Sequence, residues 1–78
     1  MAESLIVLVV DDEPDVCWAL EVLLRKNGFA VVMVGSGVEA LRWLKESACH
    51  LILVDAKLPD IEGVDLARRI RAETPCVA

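Results

Sequence analysis

The sequence has few of the residues on which metal clusters and cross-linked folds depend. Its 78 residues include three cysteines and a single histidine. Cys17, Cys49 and Cys76 are widely separated and contain no CxxC pair, so we expect neither a disulfide framework nor a zinc site. His50 has no second histidine or cysteine at ligand spacing, and we assign it no functional role.

Positive charge is also scarce, because 8 lysines and arginines stand against 13 acidic residues and give a formal net charge of −5. Nucleic-acid binding needs cations that neutralise phosphates, so we expect no direct nucleic-acid binding by this segment. The apolar runs Leu5–Val10 and Leu51–Val54 are too short to cross a bilayer. Glu3 stands where a secretory signal would carry positive charge. These features predict a cytoplasmic protein with no membrane partner.

Apolar residues are abundant, at 56% of the chain, which indicates a folded protein with a core. The length allows one small domain. Three apolar segments predict strands that are buried on both faces, as in a parallel sheet: Leu5–Val10, Phe29–Val34 and His50–Val54.

Helical patterns follow each predicted strand. Pro14 suits the first turn of a helix that Asn27-Gly28 ends, and Ser36 with Glu39 forms a capping box for a second helix through about Lys45. The expected core-facing residues of these two helices are Val16, Ala19, Leu20, Leu23 and Leu24, then Val38, Leu41 and Leu44. A third helix is predicted after Gly63, at about Val64–Ala72. The βαβαβα order predicts an α/β fold with a parallel sheet and helices on both faces.

Acidic residues follow two of the three predicted strands. Asp11 and Asp12 come directly after the first strand, and Asp55 comes directly after the third. Ligands of open parallel sheets bind outside the carboxyl ends of the strands, near the point where strand order reverses. If the first and third strands are neighbours, the three carboxylates share one shallow pocket, where they repel one another unless a cation is bound. Mg²⁺ suits such a set of oxygen ligands.

Simpler interpretations of the same residues stay open. Acids at a strand end can be solvated loop residues or helix caps. Pro59 and Gly63, which follow Asp55, can be plain turn formers. Two enzyme classes fit less well: the sequence has no Asp-x-Asp after the first strand, as an aspartate-based phosphatase would, and no GxGxxG, as a nucleotide-binding dehydrogenase would.

The acids belong to a specific combination of features. It consists of a double acid after the first strand, an acid after the third, and then a proline and a glycine at fixed distances. It resembles the receiver domain of two-component response regulators over essentially the whole chain. The segments that carry the resemblance are Val9-Val10-Asp11-Asp12-Glu13-Pro14, Leu51-Ile52-Leu53-Val54-Asp55, Leu58-Pro59-Asp60 and Gly63. The resemblance implies a flavodoxin-like fold with strand order 2-1-3.

The resemblance also implies a set of roles. Asp55 would be the phosphoacceptor, receiving a phosphoryl group from a histidine kinase or phosphotransfer protein. Asp11, Asp12, Asp55 and the backbone carbonyl of Lys57 would bind Mg²⁺. Pro59 would stiffen the loop that presents this carbonyl, and Gly63 would allow a close backbone approach. Such a module is not an enzyme.

Residues 1–78 would form only the N-terminal part of such a domain. Thr74-Pro75 is expected to end the third helix, and Cys76-Val77-Ala78 resembles the start of a fourth strand. The fourth and fifth strands, with the Ser or Thr and the Lys that the family places there, have no counterpart in the sequence. The third strand would then be an edge, which predicts a homodimer or other self-association. A dimerisation or interaction fragment without phosphotransfer is therefore the alternative function.

Overall fold

The computed structural model of the protein describes residues 5–73. It contains three strands and three helices in the alternating order that the sequence predicts: β1 Ile6–Val10, α1 Pro14–Lys26, β2 Ala30–Val34, α2 Gly37–Glu46, β3 Leu51–Val54 and α3 Gly63–Glu73. The expectations for Thr74-Pro75 and Cys76-Val77-Ala78 concern residues outside the described range.

The strands form one parallel sheet with the order β2-β1-β3, which confirms the predicted fold class and strand order. Each strand begins one residue later than the sequence suggested. His50, just before β3, still takes part in the pairing, because its backbone N–H donates to the Ile6 carbonyl at 2.9 Å. Its ring Nδ1 also accepts a hydrogen bond from the Ile6 N–H at 2.9 Å. His50 therefore has a structural role that its spacing did not indicate.

Side chains of the central strand β1 alternate between the two faces of the sheet, as expected of a strand in a parallel α/β fold. Val7 and Val9 form one apolar cluster with Val31, and the α1 residues Leu20 and Leu24 pack against it. The opposite cluster lies under α2 and α3 and contains Leu8, Val10, Ala40, Leu44, Leu66 and Ile70. Helices therefore cover both faces, and β1 is almost completely buried between them.

The helix boundaries follow local chemistry. Gly28 has a φ of 90°, a left-handed conformation that glycine adopts without strain, and it ends α1 as predicted. The Ser36 hydroxyl accepts a hydrogen bond from the Glu39 N–H at 3.2 Å and caps α2. The second half of the predicted capping box differs, because the Glu39 carboxylate accepts from Gly35 rather than from Ser36.

Four of the eight predicted core-facing residues were wrong. On α2, Val38 is 53% exposed, and the buried residues are Gly37, Ala40 and Leu44. The reason is that the loop after β3 packs against Gly37, so the helix presents the Gly37–Ala40–Leu44 stripe to the core. On α1, Val16 and Leu23 are 44% and 57% exposed and Ala19 is exposed too, since only the Leu20–Leu24 side meets the sheet.

The remaining differences are small. Gly63 is the first residue of α3, not the residue before it, and the helix extends to Glu73. Cys49 is buried and Cys17 is partly buried, while Cys76 lies outside the described range. Between residues 5 and 73, every helix is too short or too polar to span a bilayer.

Candidate functional site

The register of β1 and β3 places two acids side by side at the carboxyl edge of the sheet. Val10 pairs with Val54, and the next residue in each strand direction is an aspartate. The Asp55 N–H donates to the Val10 carbonyl at 2.9 Å, and the Asp11 N–H donates to the Val34 carbonyl at 3.0 Å. Ladder hydrogen bonds thus fix the backbone of both residues.

Asp12 joins these two acids to form a compact acidic cluster. One carboxylate oxygen from each of Asp11, Asp12 and Asp55 lies within 4.8 Å of the other two. Asp11 and Asp55 are partly buried, whereas Asp12 is exposed. Oxygens on opposite sides of a Mg²⁺ ion are about 4.2 Å apart, given metal–oxygen distances near 2.1 Å. The donor set and its spacing therefore fit a hard divalent cation, with small side-chain rotations and added waters.

Asp11 is further oriented by the start of α1. Its Oδ1 accepts a hydrogen bond from the Glu13 N–H at 2.9 Å, and its backbone carbonyl accepts one from the Cys17 thiol at 3.0 Å. Burial raises the pKa of this thiol, and the negative charges of Asp11 and Asp12 raise it further. Cys17 therefore stays protonated and acts as a hydrogen-bond donor rather than as a thiolate ligand.

The loop of residues 56–62 follows Asp55 and is closed by its own backbone. The Gly63 N–H donates to the Ala56 carbonyl at 2.8 Å, and the Leu58 N–H donates to the Ile61 carbonyl at 3.3 Å. Lys57 is exposed, and its backbone forms an isolated antiparallel β-bridge with that of Glu62. Pro59, the middle residue of the loop, is exposed.

Gly63 lies where the loop returns to the sheet edge. A Cβ atom there would collide with the Asp55 carbonyl oxygen and would lie 3.0 Å from the Ala56 Cα. The structure therefore brings the backbone of Gly63 against the backbone of Asp55, a close approach that a side chain would block.

Sequence reasoning missed Asp60, which it treated only as part of a motif. Its carboxylate accepts hydrogen bonds from the N–H groups of Gly37 and Val38, each at 2.9 Å. These two bonds are the main reason that the pKa of Asp60 lies below its ordinary value. No local pattern could have shown the contact, because the partners are 23 and 22 positions away in the sequence.

Residues 7–78 match the family model described as the response regulator receiver domain. The chain belongs to this family. The match confirms the predicted family. Receiver domains are signalling modules of two-component systems.

Curated relatives of this receiver chain are regulators. It is 38% identical to the DNA-binding response regulator MtrA of Mycolicibacterium smegmatis over 68 residues, and this aligned segment is 87% of the chain and 30% of MtrA. It is 32% identical to the transcriptional regulatory protein ZraR of Escherichia coli over 75 residues, and this aligned segment is 96% of the chain and 17% of ZraR. The chain therefore spans less than a third of these relatives.

Solved receiver structures have the same fold. A putative response regulator from Chloroflexus aurantiacus superposes with a TM-score of 0.90 at 33% identity, over 94% of this receiver chain and 60% of that one. The receiver domain of the sensor histidine kinase PA1611 from Pseudomonas aeruginosa superposes with a TM-score of 0.85 at 32% identity. The superposition covers 92% of this receiver chain and 59% of the PA1611 chain. The PA1611 structure has a magnesium ion coordinated in its active-site cleft.

Proposed function

We propose that this chain is the phosphoacceptor module of a two-component phosphorelay and that Asp55 receives the phosphoryl group. The observation that carries the proposal is the convergence of Asp11, Asp12 and Asp55, with carboxylate oxygens within 4.8 Å of one another. In this proposal residues 1–78 are the N-terminal part of the receiver domain.

The proposed reaction is a transfer from phosphohistidine to a carboxylate. An oxygen of Asp55 attacks the phosphorus in line, the phosphorus–nitrogen bond breaks, and the histidine imidazole leaves with the bonding electron pair. The product is an acyl phosphate on Asp55. The hydrogen bond from the Asp55 N–H to the Val10 carbonyl keeps Asp55 at the sheet edge, where a phosphoryl donor has access.

The cation in this proposal is Mg²⁺, held by the carboxylates of Asp11, Asp12 and Asp55 and by the backbone carbonyl of Lys57. When bound, Mg²⁺ supplies positive charge that offsets the charge of the transferring oxygens. The magnesium in the related PA1611 receiver domain supports this choice.

Two loop residues set geometry in this proposal. Pro59 stiffens the segment that presents the Lys57 carbonyl, because its ring fixes φ. Gly63 allows the loop to return against the Asp55 backbone.

The proposed partners are a histidine kinase or a phosphotransfer protein in the cytoplasm. The chain assists its own phosphorylation and is not an enzyme in the ordinary sense. MtrA is described as DNA-binding, but this chain covers 30% of it and has a net charge of −5. We therefore assign any DNA contact of a longer regulator to another domain.

Phosphorylation of the chain by a small phosphoramidate donor, followed by intact-mass spectrometry, tests the proposal. We expect the mass of one phosphoryl group to appear with Mg²⁺ and to be absent with a chelator or in Asp55→Asn. Asp65→Asn is the matched control, because Asp65 is an exposed acid in the first turn of α3 that does not belong to the acidic cluster. A chain that binds Mg²⁺ but never gains this mass would contradict the role of Asp55.

The edge position of β3 favours a second candidate function. Within residues 5–73, β3 pairs only with β1, so its other side has unpaired backbone groups. Such an edge can pair with another chain. A dimerisation or interaction module without phosphotransfer would use this edge and leave the acidic cluster idle.

A further inference from the structure

Asp60 joins the loop of residues 56–62 to the start of α2, which is remote in the sequence. Its Oδ1 accepts from the Gly37 N–H and its Oδ2 accepts from the Val38 N–H, each at 2.9 Å. The first amides of a helix have no partner within the helix, so both would otherwise need water. One side chain therefore satisfies two of these amides and ties two separate elements together.

Packing reinforces this connection. A Cβ atom at Gly37 would collide with the Ile61 side chain and would lie 3.4 Å from the Asp60 Oδ1. Ile61 is partly buried and packs against the apolar cluster under α2 and α3. The loop therefore lies directly on the first turn of α2, and glycine at position 37 leaves the space that it needs.

The other end of the loop is fastened to the acidic cluster. Gly63 donates to Ala56 at 2.8 Å, directly after Asp55, and closes the base of the loop. Lys57 lies between this base and the contact made by Asp60. The backbone of Lys57 is thus held from both sides.

We propose that Asp60 is a positioning residue for the acidic cluster. By fastening the loop to α2, it holds the Lys57 carbonyl in place and couples the first turn of α2 to cation binding. The metal-binding half of this inference rests on the proposed function, whereas the loop-fastening half does not. Asp60 itself touches neither the cation nor the phosphoryl group.

Ser36→Ala provides a matched control for Asp60→Ala. Ser36 caps the same turn of α2 by accepting from Glu39, so its loss weakens the helix start without changing the loop. Amide hydrogen exchange without metal is measured at Leu58 and Gly63, relative to amides of α1. We expect exchange about tenfold faster in Asp60→Ala, since hydrogen bonds to a charged group are lost, and parent-like exchange in Ser36→Ala.

A magnesium titration followed by NMR tests the second half. Asp60→Ala should weaken Mg²⁺ affinity about tenfold, at the lower end of the effect of outer-shell partners. Asp60→Asn should fall between, because its amide keeps one acceptor oxygen, and Ser36→Ala should match the parent. In the parent, the Gly37 amide resonance should shift with the same midpoint as that of Ala56, and this coupled shift should be lost in Asp60→Ala.

Other outcomes separate the two proposals. If Asp60→Ala only lowers the urea midpoint, as Ser36→Ala does, while exchange and affinity stay at parent values, Asp60 is a helix cap and the inference is overturned. A parent chain that binds no Mg²⁺ would overturn the proposed function, and the metal-free exchange would still decide whether Asp60 holds the loop. If Asp60→Ala does not fold, Asp60→Asn serves for both measurements.

Discussion

Asp55 and Asp11 lie next to each other at the sheet edge, although more than half of the described chain separates them in sequence. Parallel pairing of β1 and β3 in a fixed register produces this proximity, since each aspartate directly follows one of the paired residues Val10 and Val54. The sheet therefore holds like charges together, with Asp12 beside them. Repulsion among them costs free energy that a bound cation offsets.

This repulsion gives a prediction about stability. Asp12→Asn should raise the urea midpoint of the metal-free chain, because one charge of the acidic cluster is removed. Mg²⁺ at ten times its dissociation constant should stabilise the parent by about 1.4 kcal/mol. The same Mg²⁺ concentration should stabilise Asp12→Asn by much less. Urea unfolding followed by circular dichroism, with and without Mg²⁺, measures both effects, and equal gains in the two chains would contradict a role of Asp12 in binding.

Gly63→Ala should destabilise the fold, since the added methyl group meets the Asp55 carbonyl and the Ala56 Cα. We expect a loss of about 1–3 kcal/mol, the usual effect of forcing atoms into a packed site. Gly35→Ala is the control, because a Cβ at Gly35 has no neighbour within 4 Å. Similar urea midpoints for the two variants would show that the close approach at Gly63 does not matter.

The contact of Asp60 with α2 predicts a dependence of stability on pH. Its folded pKa lies below the unfolded value of about 3.8, so its stabilising effect is complete above that pH and is lost as pH falls through the folded pKa. The parent should therefore be more stable than Asp60→Asn at pH 7, and the difference should shrink below about pH 3.8. Urea titrations of the two chains across this pH range measure the difference in stability, and a difference that does not shrink would contradict the contact.

The order of strands and helices along the chain could be predicted because its information is local, whereas the strand order 2-1-3 came from the family resemblance. Each apolar segment is short and continuous, and Pro14, Gly28 and Ser36 mark helix ends by chemistry that acts within a few residues. The acidic cluster was predictable as well, since acids that follow two buried parallel strands must meet at one edge if the strands are neighbours.

The remaining features depend on tertiary contacts. The path of the loop over α2 decides that Asp60 caps a distant helix and that Gly37, not Val38, faces inward. The hydrogen bond from Ile6 to the His50 ring likewise needs β1 and β3 to be aligned first. Spacing within one helix or strand contains none of this information.

Self-association through β3 is a further prediction. Leu51→Lys should lower the weight-average mass measured by light scattering at high concentration, because lysine on an edge strand opposes pairing. Leu51 is 43% exposed at the start of β3. The control Leu23→Lys changes a residue that is 57% exposed on α1, away from this edge. A compact parent monomer at every concentration would rule out the association, and a response to Leu23→Lys alone would move it to α1.

The most direct test of the account locates the phosphoryl group itself. The chain is phosphorylated with Mg²⁺ present, the acyl phosphate is reduced with borohydride to homoserine, and the modified position is read by fragmentation mass spectrometry. We predict homoserine at Asp55 and unchanged aspartates at positions 11 and 12. Homoserine at either of those positions, with Asp55 intact, would contradict the role of Asp55 as phosphoacceptor.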